Sequence, residues 1–248
     1  MSGRKVAVTG LGVLSPIGNN VPDSWAAVCA GKNGIGLITL FDASDLHFRI
    51  AGEVRGFEDM DALSAKQKKA MGRFAQLGVV AGIQAIADAG LGDSEKDAAR
   101  IGISVGSGIG GLPEIEATTI KAHNDKRPNA PPRVSPFLIP SVIINIISGH
   151  LSIMYNFTGP GVSLVSACTT GAHNIGNAFR MISYGDADVM VCGGAEASIT
   201  PLAIGSFGSA KALSGCNDTP ETPSRPFNRK RDGFVLGEGA GVLVLEEY

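Results

Sequence analysis

Short apolar runs alternate with longer stretches of helical character through most of this 248-residue chain. That order restricts the fold more than any single motif, because strands separated by helices bury their faces best in stacked layers. Residues 5–9, 101–105, 162–166, 189–192 and 241–245 read as strands, and 51–54 as an edge strand. Helices are expected over 21–30, 64–89, 113–123, 141–155 and 169–184. The first opens after Asn20 with Pro22 in its first turn, and the second stops at Gly90. A proline-rich loop spans 127–133 and a polar loop 215–231. The reading is a layered α/β fold. The 34 glycines fall in strand ends and turns and not in a low-complexity tract, which points to closely packed backbone.

Apolar residues make up 44% and charged residues 18%, as in a globular protein with a sizeable core. A net charge of −2 argues against general nucleic-acid binding. Residues 139–153 are rich in Ile and Val, but Pro140, Asn145 and His150 interrupt them, so a buried helix is expected and not a membrane span. The first five residues run directly into a strand with no signal-peptide pattern, which suggests the cytoplasm, or an organelle stroma or matrix. Four scattered cysteines without a Cys-x-x-Cys pair suggest a reducing compartment and no structural metal.

Cys168 stands out chemically. It lies in Gly161-Val-Ser-Leu-Val-Ser-Ala-Cys-Thr-Thr-Gly171, where a strand breaks at small residues and a helix follows. Unpaired N–H groups and the helix dipole favour a thiolate there, and a nearby N–H could hold an oxyanion. The alternative is that Cys168 is one more buried small hydrophobe. His173 follows five residues later. Five helical residues turn roughly 500°, leaving the two side chains about 140° apart, which disfavours a direct Cys–His bond. His150 reads as a satisfied core residue, and His47 and His123 as solvated loop residues. Gly106-Ser-Gly108-Ile-Gly-Gly111 matches a dinucleotide fingerprint, which would imply a nucleotide-dependent oxidoreductase. Pro113 and the lack of a following strand ending in Asp or Glu favour instead a tight turn lining a cavity. Lys66, Lys68, Lys69 and Arg73 form one basic group, where an acidic or phosphorylated partner could dock, and Lys211, Arg225, Arg229, Lys230 and Arg231 form a second.

Together with Ala167-Cys-Thr-Thr-Gly171, the segments Val8-Thr-Gly-Leu-Gly-Val-Leu-Ser-Pro16, Gly149-His-Leu151, Gly193-Gly-Ala-Glu196 and Arg231-Asp-Gly-Phe-Val-Leu-Gly-Glu-Gly-Ala-Gly241 carry a resemblance. Over essentially all its length the chain resembles the β-ketoacyl-acyl-carrier-protein synthases, most of all the type II elongating enzymes. Asn228 replaces the usual Asp after Arg-Pro-Phe. The resemblance implies a thiolase-like αβαβα architecture, of which residues 1–248 form the first of two related halves. It implies decarboxylative condensation of an acyl group, held as a thioester on Cys168, with malonyl-acyl carrier protein. Ile109, Leu138 and Phe207 would line the acyl pocket, Leu138 reaching across a dimer interface. Lys66, Lys69 and Lys211 would dock the carrier protein. The partners implied are acyl carrier protein, a second copy of the chain, and a C-terminal half carrying two histidines, a lysine and the second oxyanion N–H. No cofactor is expected beyond the phosphopantetheine on the substrates, and neither metal, nucleic acid nor membrane. The ending on an apolar strand suggests a truncated chain. A half-enzyme or partner subunit requiring a second chain is the other reading, though a chain-length-factor subunit would lack the cysteine.

Overall fold

The computed structural model describes residues 3–57, 60–92, 96–125, 127 and 133–248. In chain order the elements are β1 (Val6–Leu14), α1 (Val21–Cys29), β2 (Gly36–Leu37), β3 (Ile50–Ala51), α2 (Ala65–Ala70), α3 (Arg73–Asp88), β4 (Ile101–Gly106), α4 (Leu112–Asn124), α5 (Leu138–Val142), α6 (Ile146–Tyr155), α7 (Thr170–Tyr184), β5 (Val189–Glu196), α8 (Pro201–Ser209) and β6 (Gly239–Glu247). Most of the proline-rich loop, residues 128–132, lies outside the described residues.

The main sheet has the order β1-β6-β5-β4. β4 and β5 are parallel, while β6 runs antiparallel to both of its neighbours. Successive strand residues face opposite sides of a sheet, and β5 divides accordingly. Val189 and Val191 join the cluster that contains α3 and α6, whereas Met190 and Cys192 pack with Ala178 and Ile182 of α7. A third cluster, with Ile199, Ile204, Leu213 and Leu236, forms a cap beside the sheet. Arg73 joins cap to core through the buried Glu238, donating at 2.8 and 2.6 Å, while Val54 N–H donates to the same carboxylate at 2.8 Å.

β1 and β6 are longer than the sequence suggests. Gly10 and Gly12 read as strand-end glycines, yet both lie inside β1, beyond a bulge between Val8 and Gly10. They are glycines because α3 lies directly on the strand: a Cβ at Gly12 would stand 1.9 Å from the Ala81 carbonyl oxygen, and one at Gly10 2.2 Å from that of Ala85. On the adjoining face α3 meets α6 through Gly78 against Ile147 and Gly82 against Leu151. Two outward N–H groups of β1 are closed by α3 side chains, Leu11 N–H donating to Asp88 at 2.9 Å and Val13 N–H to Gln84 at 3.1 Å.

Two expected helices are each divided in two, and the breaks meet. The 64–89 stretch parts at Met71 and Gly72, giving α2 and α3. The 141–155 stretch parts at residues 143–145, giving α5 and α6. Gly72 N–H donates to the Ser141 carbonyl at 3.2 Å, and Gly111 N–H to that of Val142 at 3.2 Å. The last carbonyls of α5 are thus satisfied from outside and not by a continuing helix. Nor is this stretch buried throughout as expected: Ile147 and Leu151 are in the core, but Ile139 is 65% and Ile153 82% exposed.

Replacing Gly12 with Ala forces a methyl group into immovable backbone. We expect a loss of about 3 kcal/mol, measurable as a lower urea midpoint with unchanged slope. Gly176→Ala, where nothing lies within 4 Å of the added carbon, should cost nothing.

Candidate active site

The segment expected as a strand at 162–166 forms no ladder. It pairs with β4 at Ile103 only, where Ile103 N–H donates to Pro160 O at 2.8 Å and Val162 N–H to Ile103 O at 3.1 Å. Beyond that point side chains take the ladder positions. Ser148 accepts from Val105 N–H at 3.1 Å, and Ser163 donates to Val105 O at 2.8 Å. The backbone of Leu164 is held by the side chain of Asn174.

Cys168 follows in a single 3₁₀ turn, Ala167–Thr169, that leads straight into α7. Ala167 sits at φ 52°, in the left-handed region that costs a residue with a Cβ about 1 kcal/mol or more. Ser166 N–H donates to the Thr170 hydroxyl at 2.9 Å, closing the turn from within. Cys168 is exposed, not buried. The buried thiol is Cys192, which burial pushes up to about 12. His173 is engaged elsewhere, its Nδ1 lying 2.7 Å from the Ser166 hydroxyl. His150 is not the satisfied core residue expected: its Nε2 is enclosed with no hydrogen-bond partner among the described residues, and burial pushes its pKa down.

The glycine-rich loop packs against this turn. A Cβ at Gly108 would lie 3.1 Å from the Ala167 carbonyl oxygen and 3.0 Å from Glu196 Oε2. The amides of Ile109 and Gly110 in this loop are already occupied. Ile109 N–H donates to Glu196 at 2.8 Å, Gly110 N–H at 3.2 Å, and the hydroxyls of Ser107 and Ser198 donate to the same carboxylate at 3.0 Å each. A phosphate cradle needs those N–H groups free. Here a carboxylate of the chain itself fills the place, so the loop is the tight turn and not a dinucleotide site.

Of the expected pocket residues, Ile109 is brought beside the Cys168 turn through this loop and is 42% exposed. Leu138 opens α5 and is half-buried, and Phe207 lies on α8 with its ring 5.5 Å from that of Phe234. Among the described contacts neither touches Cys168. Lys66 and Lys69 are exposed on α2. Lys211 is exposed just after α8 and lines a cleft of about 920 Å³ with Arg225, Arg229 and Arg231. Among the described residues no group of three or more His, Cys, Asp or Glu could hold a metal ion, and no helix is long and apolar enough to cross a membrane.

A family model described as "Beta-ketoacyl synthase, N-terminal domain" matches residues 3–248. The chain belongs to the β-ketoacyl synthase family. It is 53% identical over all 248 residues to a protein of Vibrio cholerae serotype O1 named 3-oxoacyl-[acyl-carrier-protein] synthase 2, covering 59% of that protein. A Staphylococcus aureus (strain COL) protein of the same name is 44% identical over 243 residues, 98% of this chain and 58% of that one. The chain thus spans about three-fifths of the length of these family members. Among solved structures, a β-ketoacyl synthase from Burkholderia phymatum STM815 superposes with a TM-score of 0.85 at 32% identity, over 99% of this chain and 59% of that one. A ketosynthase solved in complex with its type II PKS acyl-carrier protein, bound to the hexaketide, also gives 0.85, at 28% identity and the same coverage. The fold is therefore that of the first part of a thiolase-like ketosynthase.

Limiting iodoacetamide followed by peptide mapping should label Cys168 first among the four thiols and Cys192 last, by more than about tenfold. Preferential labelling of Cys29, Cys192 or Cys216 would remove Cys168 from the nucleophile position.

Proposed function

We propose that residues 1–248 form the N-terminal ketoacyl-synthase unit of an enzyme that elongates fatty acyl chains. The observation that carries this reading is the placement of Cys168. It is an exposed thiol on a strained turn at the start of α7, backed by a glycine loop in which Glu196 occupies the Ile109 and Gly110 amides. In the proposed reaction the Cys168 sulfur attacks the thioester carbonyl of an acyl group on carrier protein. The new S–C bond forms as the carrier's phosphopantetheine thiol leaves with the proton. Malonyl-carrier protein then loses carbon dioxide, and its carbanion attacks the Cys168 thioester. That S–C bond breaks, freeing the sulfur, and a 3-oxoacyl-carrier protein two carbons longer departs. Ile109, Leu138 and Phe207 line the acyl pocket in this reading, and no cofactor is needed beyond the substrate's own arm.

The carrier protein is proposed to dock on Lys66, Lys69 and Lys211. Exposure of all three and the arginines beside Lys211 support this, as does the neighbour solved with its carrier protein. The histidines and lysine that assist decarboxylation, and the second oxyanion donor, are assigned to residues outside these 248. The cytoplasm is the proposed location.

Incubated with acyl-carrier protein, the chain should gain one acyl mass on Cys168, and Cys168→Ala should gain none. Charge reversal at Lys66, Lys69 and Lys211 should slow acylation by the carrier-bound substrate but not by a carrier-free acyl thioester. Condensation with malonyl-carrier protein should be slower by a hundredfold or more than with the C-terminal part supplied in trans, because each missing acid–base or oxyanion group is worth about that much. Robust condensation by the 248 residues alone would show that one of His47, His123, His150 or His173 is catalytic.

A homodimer is also proposed, from exposed Ile139, Ile143, Ile153 and Val165 around the Cys168 segment. Exposed apolar side chains of this size, where they adjoin, ordinarily mark an interface. Light scattering should report a dimer or larger, and a clean monomer would count against Leu138 reaching a neighbour's pocket.

A further inference from the structure

One buried side chain grips both ends of the Cys168 turn. Asn174, in the second turn of α7, is fully buried, and its amide uses every donor and acceptor it has. Oδ1 accepts from Leu164 N–H at 3.0 Å and from the Ser104 hydroxyl at 2.8 Å. Nδ2 donates to Leu164 O at 3.1 Å and to Thr170 O at 2.8 Å. A rotated amide would turn its NH₂ toward the Leu164 N–H, so the orientation is unique. Both backbone groups of Leu164 close on this one amide, much as they would on a neighbouring strand. Ser104, itself fully buried in β4, ties the amide to the sheet.

Between Leu164 and Thr170 lie the two unusual backbone positions, Ser166 at φ −151°, ψ 43° and Ala167 at φ 52°. Such conformations persist only when the flanking structure over-determines them. Here the flanks are Leu164 on one side and Thr170 on the other, and Asn174 binds both. Gly106 leaves the room this requires, since a Cβ there would stand 2.7 Å from Asn174 Nδ2 and 2.5 Å from Leu164 O. We propose that Asn174 is a positioning residue, which holds the Cys168 turn in its left-handed form and so aims the sulfur for acyl transfer. This rests on the reading of Cys168 as the acyl acceptor.

Two reactions of Cys168 separate aim from mere exposure. Alkylation by iodoacetamide needs only an accessible sulfur. Acyl transfer needs the sulfur and the developing oxyanion held in register, and a displacement of about 1 Å can cost a hundredfold. Asn174→Asp keeps the size and the oxygen that accepts from Leu164 and Ser104 but loses both donors, and sets a second acceptor oxygen against the carbonyls of Leu164 and Thr170. Ser104→Ala removes one bond only. With octanoyl-pantetheine as the acyl probe, acylation of Cys168 should fall at least about tenfold in Asn174→Asp and about threefold in Ser104→Ala. Alkylation of Cys168 should change less than about twofold in both. Cys192, buried under α7, reports the fold by staying unlabelled. Should Asn174→Asp unfold, Ser104→Ala carries the test. Unchanged acylation in a variant with Cys192 protected would overturn the proposal. So would equal loss of both reactions together with labelling of Cys192 in both variants, which would make Asn174 a support of the whole fold. Absence of acylation in the unsubstituted protein would instead remove the assignment of Cys168 itself.

Discussion

Everything on one face of the sheet depends on how closely α3 lies on β1. Two strand glycines bring the Ala81 and Ala85 carbonyl oxygens to where side chains would otherwise stand. With the helix that low, Gln84 and Asp88 reach two of the strand's outer amides, and Gly78 and Gly82 on the adjoining helix face admit Ile147 and Leu151 of α6. The position of α6 then matters chemically, because its Ser148 hydroxyl holds Val105 at the end of β4. A chain of close contacts therefore runs from the first strand to the segment that bears the cysteine.

That segment shows how a site can be built where a ladder would be too rigid. Regular pairing beyond Ile103 would keep residues 163–166 extended and carry the cysteine past the start of α7. Hydroxyls from Ser148 and Ser163 and the amide of Asn174 satisfy the same backbone groups while letting the chain turn. The left-handed Ala167 is the cost, of order 1 kcal/mol, and each buried hydrogen bond nearby contributes a similar amount.

The order of strands and helices was legible because burial on two faces leaves apolar runs of characteristic length. The thiol at the start of α7 was legible for the same reason. What remained hidden depended on contacts between distant residues. Gly10 and Gly12 look like strand ends until α3 is seen above them. The break at Gly72 exists because of Ser141, and the break after Val142 because of Gly111. Residues 162–166 have strand composition, but beyond Val162 side-chain hydrogen bonds, with Ser148 of α6 and Thr170 and Asn174 of α7 among the partners, replace a regular ladder. Glu196 lay in a noted motif, yet nothing local indicates that its carboxylate turns toward residues some ninety positions earlier. Asn174 left a fainter signal. It falls in register with Thr170, Ala178 and Ile182 on the buried stripe of α7, where a polar residue must find partners.

The two flanks of the sheet are finished differently. At β1 the outward amides of Leu11 and Val13 are consumed by the protein's own side chains. At the flank beyond β4 regular backbone pairing ends at Val162, and Val165 is exposed. A sheet open on both sides can add copies without limit, which is the geometry of fibres. A sheet open on one side cannot: once that flank meets its like around a two-fold axis, nothing is left to extend. Gln84 and Asp88, far from the thiol, thereby close that stretch of the β1 edge against a further strand.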